Sequence, residues 1–288
     1  MKQVSDCDVV VARTRTIMRG HMARVFSIFC IVAMSISPAW ANETEDEVKD
    51  ETEGSSSEEW SFSATPYFWA PGLKGTAATT PPLPALDLDA KIGDILSNLD
   101  YGIASMAELR KGKFGIMTDF FLLNLSVDNS GSPIPGIGAG VSVDLTQIVV
   151  SMAGTYRVIE KEQGWLDLVV GVRGWYVDTG VKAAIGPVAF KLAHIEGWAD
   201  ALGGIRTRIN LRALEFPVGE GLHLTATLVG GGGMSSSFVD LLGGIGYDFT
   251  DQIKAFAGYR YSKVDYKNKG FIFDVEMQGP MVSGTYKF

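Results

Sequence analysis

From Trp60 to Phe288 apolar residues recur with a period of two, and this alternation limits the fold more than any other feature of the chain. Trp60, Phe62, Ala64 and Phe68 alternate with Ser61, Ser63, Thr65 and Tyr67. Phe114, Ile116, Thr118, Phe120 and Leu122 alternate with Gly115, Met117 and Asp119. The same pattern runs through Leu166, Leu168, Val170, Val172 and Tyr176, and again through Val239, Leu241, Ile245, Tyr247 and Phe249. A period of two sends one set of side chains to each face of a sheet. Ten segments carry it, at roughly 60–70, 101–111, 113–126, 141–158, 164–178, 197–210, 221–232, 236–249, 252–266 and 271–288. Several exceed ten residues, which is long for a soluble sandwich and suits a strand tilted across a bilayer. Connections at 71–100, 127–140 and 179–196 are long, whereas Lys111-Gly112-Lys113, 159–163 and Thr250-Asp251 are short.

Short turns on one rim and long loops on the other describe a barrel of the bacterial outer membrane. The expected fold is therefore all-β: a closed antiparallel transmembrane β-barrel of about ten strands. Eight or twelve are the alternatives, because 179–196 has room for another hairpin. Closure is required, since an open edge in lipid leaves backbone groups without partners. The last strand ends Val282-Ser283-Gly284-Thr285-Tyr286-Lys287-Phe288. Tyr286 and Phe288 share one face and read as an outer-membrane insertion signal, presented to the barrel-assembly machinery. Earlier in the same strand Phe271, Phe273, Val275 and Met277 occupy odd positions, while Val282, Tyr286 and Phe288 are even. A bulge at Gly279-Pro280 is the expected cause of that change of phase.

Residues 1–41 read as processing signal. Arg13, Arg15, Arg19 and Arg24 precede an apolar run from Val25 to Ile36 and the small-x-small stretch Ala39-Trp40-Ala41, the three regions of a secretory signal peptide. Met18 and Met22 are alternative starts. Removing 1–41 takes five of the 25 basic and two of the 33 acidic residues, so the net charge of -8 becomes -11. Cys7 and Cys30 also go, leaving no disulfide or thiolate ligand. Residues 42–59 hold nine acids against Lys49 and no aromatic, the composition of a disordered tether. The acidic balance excludes nucleic acid as a partner.

Several stretches together resemble a widespread, uncharacterised family of proteobacterial outer-membrane β-barrel proteins. The opening strand, Trp60-Ser61-Phe62-Ser63-Ala64-Thr65-Pro66-Tyr67-Phe68-Trp69-Ala70-Pro71-Gly72-Leu73, is the first of them. Asp94-Ile95-Leu96-Ser97-Asn98-Leu99-Asp100, Ala257-Gly258-Tyr259-Arg260-Tyr261 and Met277-Gln278-Gly279-Pro280 follow in order. The resemblance covers 60–288 and implies a transmembrane barrel, with no known catalytic residues.

The face opposite the apolar stripe is charged. It carries Glu108, Asp119, Asp167, Asp200, Asp240, Asp248, Asp274 and Glu276, and Arg110, Arg157, Arg173, Arg206, Arg208, Lys254, Arg260 and Lys287. Charge is disfavoured against lipid, so these residues are expected in the lumen, eight acids against eight bases. Small barrels are filled by their own side chains, and a balanced set is expected to pair internally. Arg260, between Tyr259 and Tyr261, is expected to point inward toward Asp240, Asp248, Asp274 and Glu276. Trp60, Tyr101, Phe114, Tyr156, Tyr176, Tyr247, Phe249, Tyr286 and Phe288 mark strand ends and read as interfacial girdles facing outer-membrane lipids. Inward Tyr67, Trp69, Trp165 and Trp175 are expected to fill the lumen, with ligand stacking as the alternative. Ile92, Ile95, Leu96 and Leu99 have the spacing of a short amphipathic helix at the barrel mouth.

Catalytic material is scarce. After residue 41 only His194 and His223 remain, and the strand order puts them at opposite rims. Proton-transfer chemistry needs a His beside a nucleophile or carboxylate. Gly230-Gly231-Gly232-Gly233 lacks the Lys and helix of a phosphate loop and reads as a tight extracellular hairpin or a place of close strand approach. No catalytic residue, metal or cofactor is expected. Two functions stay open: a non-enzymatic structural or surface-exposed barrel with a filled lumen, or a narrow porin-like pore for ions or small solutes gated by loop 71–100.

Overall fold

The computed structural model describes residues 59–78, 85–129, 139–185, 188–215 and 219–288. The signal-peptide reading, and the tether reading up to residue 58, fall outside them. Twelve strands and one short helix follow in chain order: β1 (Trp60–Trp69), β2 (Gly72–Ala78), β3 (Leu86–Ala90), α1 (Ile92–Ser97), β4 (Leu99–Lys111), β5 (Phe114–Asn129), β6 (Ala139–Lys161), β7 (Gly164–Ile185), β8 (Val188–Asn210), β9 (Leu222–Gly233), β10 (Ser237–Asp248), β11 (Ile253–Asn268) and β12 (Phe271–Lys287). Ten of them, β1 and β4 to β12, form an antiparallel meander that closes when β1 pairs with β12. The closing register runs from Ser63↔Lys287 to Trp69↔Met281. The remaining two strands form a hairpin on the upper half of β12, with Gln278 opposite Gly72 and Ile272 opposite Ala78.

That hairpin lies in what sequence marked as a loop. β2 continues the line of β1 along β12 without a change of register, because Ala70 N–H bridges the break to the Pro280 carbonyl at 3.1 Å. Pro71, having no N–H, interrupts the ladder there. Gly279 lets the two backbones approach: a Cβ at this position would lie 2.0 Å from the Ala70 oxygen. α1 follows β3, packs on β2 and β3, and buries Ile95 in the apolar core. The stretch 179–196, also marked as a loop, continues β7 and β8, paired to Ile185↔Val188.

The outer surface is apolar where lipid meets it. Val170 is 70% exposed, and Ile116, Ile103, Val172 and Ile245 are exposed beside it on the wall. Trp60, Phe114, Phe249 and Phe288 project outward at the end that holds the short turns. This belt, with both termini of the barrel beside it, marks the periplasmic rim. Tyr101, Tyr259 and Tyr261 project outward higher up. Strands need only about 9–11 residues to cross. β6, β7 and β8 have 23, 22 and 23 residues, so their upper halves rise beyond the hydrocarbon.

The bulge expected at Gly279-Pro280 is absent, which corrects two residue placements. β12 pairs with β11 in one unbroken register from Ile253↔Tyr286 to Asn268↔Phe271. Phe271, Phe273, Val275 and Met277 therefore face inward and are buried. Asp274 and Glu276 face outward, not into the lumen. They escape the penalty for charge against lipid because β12, at 17 residues, extends past the membrane. Glu276 stands between Lys263 and Lys74 across the neighbouring strands and accepts a hydrogen bond from Tyr261 Oη at 3.1 Å. This geometry separates two substitutions. Val170→Arg, midway along the lipid-facing stripe, should lower unfolding free energy in bilayers by about 2–4 kcal/mol. Glu276→Gln should stay within about 0.5 kcal/mol, both read by urea unfolding in vesicles.

Candidate functional site: the charged belt of the lumen

Period-two alternation delivers inward side chains from every strand at each level, and the inward residues sort into layers. Nearest the periplasm, Asp167 on β7 is wholly buried and collects three guanidinium groups. Arg110 donates to it at 2.6 Å, Arg157 at 2.9 Å and Arg206 at 3.1 Å. Glu108 accepts from Arg110 at 2.9 Å and from Arg206 at 2.8 Å. Trp165 holds the arginines in place: its ring lies 4.6 Å from the Arg157 guanidinium carbon and 5.0 Å from that of Arg206. At the same end Arg208 donates to Asp248 at 2.6 Å, and Lys254 stands 3.7 Å from that carboxylate.

Arg260 organises the next layer. Its Nε and Nη2 donate to the two oxygens of Asp240 at 3.1 and 2.8 Å, a two-pronged pairing. Nη2 also reaches Asp119 at 2.6 Å, and Nη1 donates to Tyr67 Oη at 3.0 Å. Tyr67 in turn donates to Asp119 at 2.8 Å. Arg173 closes the group, donating to Asp240 at 3.1 Å and to Ser151 at 2.8 Å. Two arginines and two aspartates thus neutralise one another in a buried layer, with the Trp69 ring 5.1 Å from the Arg260 guanidinium. Inward Gly244 and Gly258 beneath it admit the ring of Phe256, which would lie 2.7 and 2.5 Å from a Cβ there.

Above the ion pairs the lumen is mainly apolar, with Gln147 and Asp200 buried there. Trp198 stacks on Tyr266 at 4.1 Å and on Trp175 at 5.6 Å, and Phe238, Phe271, Phe273, Val264, Val275 and Met277 complete the core. Below them a cavity of about 300 Å³ extends from Arg260 and Asp240 down to Ser63, Lys254 and Lys287 near the periplasmic rim.

All the residues expected inside face inward except Asp274 and Glu276. Asp200 faces inward without joining the arginines: it accepts the Ser235 N–H at 2.8 Å and so fixes the turn between β9 and β10. The glycine run itself ends β9 and is a place of close strand approach: a Cβ at Gly231 would lie 1.9 Å from the Ala201 oxygen, and the turn is made by residues 234–236. Tyr67 and Trp165, expected to fill the lumen or stack a ligand, are partners of the arginines. Trp198, the centre of the aromatic stack, was not singled out. Its signal is its inward phase with Asp200 and Leu202.

The two histidines are far apart along β8 and β9. His223 stands opposite Asn210, and His194 lies sixteen residues up the same strand from Asn210, about 50 Å at the usual rise. His223 sits over the Gly221 carbonyl at 3.0 Å. His194 meets Glu196 at 3.1 Å, which also accepts from Tyr266 at 2.6 Å and Asn268 at 2.8 Å. Among the described residues no group of three or more His, Cys, Asp or Glu is placed to hold a metal.

A closed meander with an apolar outer wall where lipid meets it, aromatic rims and a charged belt inside is a transmembrane β-barrel of the bacterial outer membrane. No family model matches the chain, and no curated protein matches it. Solved structures with a similar fold include the outer membrane protease OmpT from Escherichia coli, 11% identical over 83% of this chain and 99% of that one, with a TM-score of 0.43. The translocator domain of the autotransporter NalP from Neisseria meningitidis is 13% identical over 98% of both chains, TM-score 0.39. The attachment invasion locus protein Ail of Yersinia pestis, solved with a heparin analogue, is 12% identical over 80% and 98%, TM-score 0.35.

Removing Arg260 would strand two buried carboxylates, so Arg260→Ala should destabilise the barrel by about 3–5 kcal/mol. Denaturant unfolding should find it coupled to Asp119→Ala and Asp240→Ala in double-mutant cycles and additive with Asp274→Ala. The rim beyond the membrane yields a pH prediction. Burial opposes the Glu196 charge, but the hydrogen bonds from Tyr266, Asn268 and His194 prevail and hold its carboxyl below the usual range. A depressed carboxylate stabilises fully above its unfolded value of about 4.3 and loses that contribution as pH falls through the lower folded value. Glu196→Gln should therefore narrow the stability gap between pH 7 and pH 3, measured by unfolding at each pH.

Proposed function

We propose that the protein is a non-enzymatic outer-membrane barrel with a filled lumen, acting through its wall and its extracellular rim rather than by passing solutes. The observation that carries this reading is the succession of layers inside: a neutral belt of Arg173, Arg260, Asp119 and Asp240 beneath the stacked Trp175, Trp198 and Tyr266. A conducting path usually needs a water-filled constriction bearing one sign of charge. Its partners on this reading are the lipids around the apolar wall and, during assembly, the insertion machinery that receives the strand ending in Tyr286 and Phe288.

A pore gated by 71–100 is the second reading, favoured by the cavity of about 300 Å³ on the periplasmic side. Against it stands the pairing of β2 to β12 through seven positions from Ile272↔Ala78 to Gln278↔Gly72, all of which a swinging gate would break. Purified protein in planar bilayers should give no stable conductance steps. Stable openings that widen when residues 76–98 are removed would establish the pore instead.

A further inference from the structure

We propose that the periplasmic half of the lumen is a binding site for a phosphoryl oxyanion, held by Arg206, Arg208, Lys254 and Lys287. The inference is independent of whether the barrel conducts. Its first support is charge. With Asp274 and Glu276 outside, the inward set named from sequence is no longer balanced: eight bases stand against six acids, Glu108, Asp119, Asp167, Asp200, Asp240 and Asp248. The surplus has a location. Arg173 and Arg260 are matched by Asp119 and Asp240 in the upper layer.

Below that layer carboxylates are shared among several cations. Six cations there, Lys287 among them, face four carboxylates: Asp167 serves Arg110, Arg157 and Arg206, Glu108 also serves Arg110 and Arg206, Glu160 also serves Arg157, and Asp248 serves Arg208 and Lys254. Among the described residues Lys287 has no ion pair. Arg208 and Lys287 line the same cavity as Lys254. Unmatched charge of one sign inside a protein wall is costly, and an anion of opposite charge offsets that cost.

The second support is space and donors. The cavity of about 300 Å³ is lined by all four cationic groups and reaches the rim through Lys287. It is far larger than one water requires. Hydroxyls of Thr225, Thr227, Ser283 and Thr285 line the same wall. A tetrahedral oxyanion accepts several hydrogen bonds at once from donors on different strands, and a phosphate monoester carries about 1.5–2 negative charges at pH 7, close to the surplus. The same group arrives from two sources, a soluble phosphate of the periplasm or the headgroup of an anionic phospholipid.

The test uses the full protein folded in zwitterionic detergent. Inorganic phosphate should raise its unfolding temperature saturably, and chloride at equal ionic strength should not. The double variant Lys254→Gln/Lys287→Gln should need at least about tenfold more phosphate, the loss expected for charge-assisted contacts. A second measurement needs no variant. Phosphate should slow acylation of the Lys254 and Lys287 amines several-fold and leave that of exposed Lys74, on the outer face of β2, unchanged. Protection by a short-chain phosphatidylglycerol and not by phosphate would support the site with a lipid headgroup as its occupant. If neither probe protects these lysines, or chloride matches phosphate in both assays, the proposal is overturned.

Discussion

Inside a bilayer no water satisfies a backbone N–H or C=O, so the pairing of β1 with β12 is the contact on which the whole molecule depends. From β4 to β12 each strand pairs with the next one along the chain. β1 and β12 lie more than two hundred residues apart in sequence and still must meet in one register. Terminal aromatics contribute at that seam, where the Phe62 and Phe288 rings lie 5.3 Å apart and the Phe288 N–H reaches the Phe62 carbonyl at 2.9 Å. Higher up, β12 outlasts β1, and its free edge is covered by β2. The β2–β3 hairpin is thus an answer to the same requirement, extended past the membrane where a long bare edge would invite pairing with another chain.

Closure also determines the interior. Inward side chains from ten strands share a narrow space, and a charge placed there has no bulk solvent. The chain resolves this by giving guanidinium groups several acceptors and aromatic faces, as around Asp167 and Arg260. Such buried pairs add little over a hydrophobic core of equal shape, yet losing one partner is expensive. They fasten strands distant in sequence to one another across the lumen: Arg260 on β11 reaches Asp119 on β5. Above them the aromatic stack is ordinary core, exploiting strands that run on beyond lipid.

Much of the charged belt was legible from alternation. Arg260, Asp119, Asp167, Arg173 and Asp240 each sit in a strand whose outward set is plainly apolar, so their inward phase follows. β12 defeated the same argument. Its upper half is apolar on the inside and charged on the outside, the reverse of its lower half, and both halves keep one phase. Polarity tells the faces apart only within the hydrocarbon; beyond it, water bathes the outer wall and the lumen becomes the drier side. The misplaced Asp274 and Glu276 come from treating all of β12 as membrane. Asp200 is a different case. Its phase was right, but whether it meets an arginine or the Ser235 N–H depends on where the β9–β10 turn ends.

By itself the sequence determined the strand period, the outward stripe, the aromatic rims and the expectation of a closed meander, because these follow from local alternation and from the prohibition on unpaired backbone in lipid. It also determined the short helix near Ile95, from the spacing of four apolar residues. Tertiary structure alone decided how far each strand rises beyond the membrane, that 72–78 joins the wall beside β12, and which arginine meets which carboxylate. Those outcomes rest on register and height between strands remote in sequence. Alternation reports which face a residue takes and carries no measure of its level on the barrel axis.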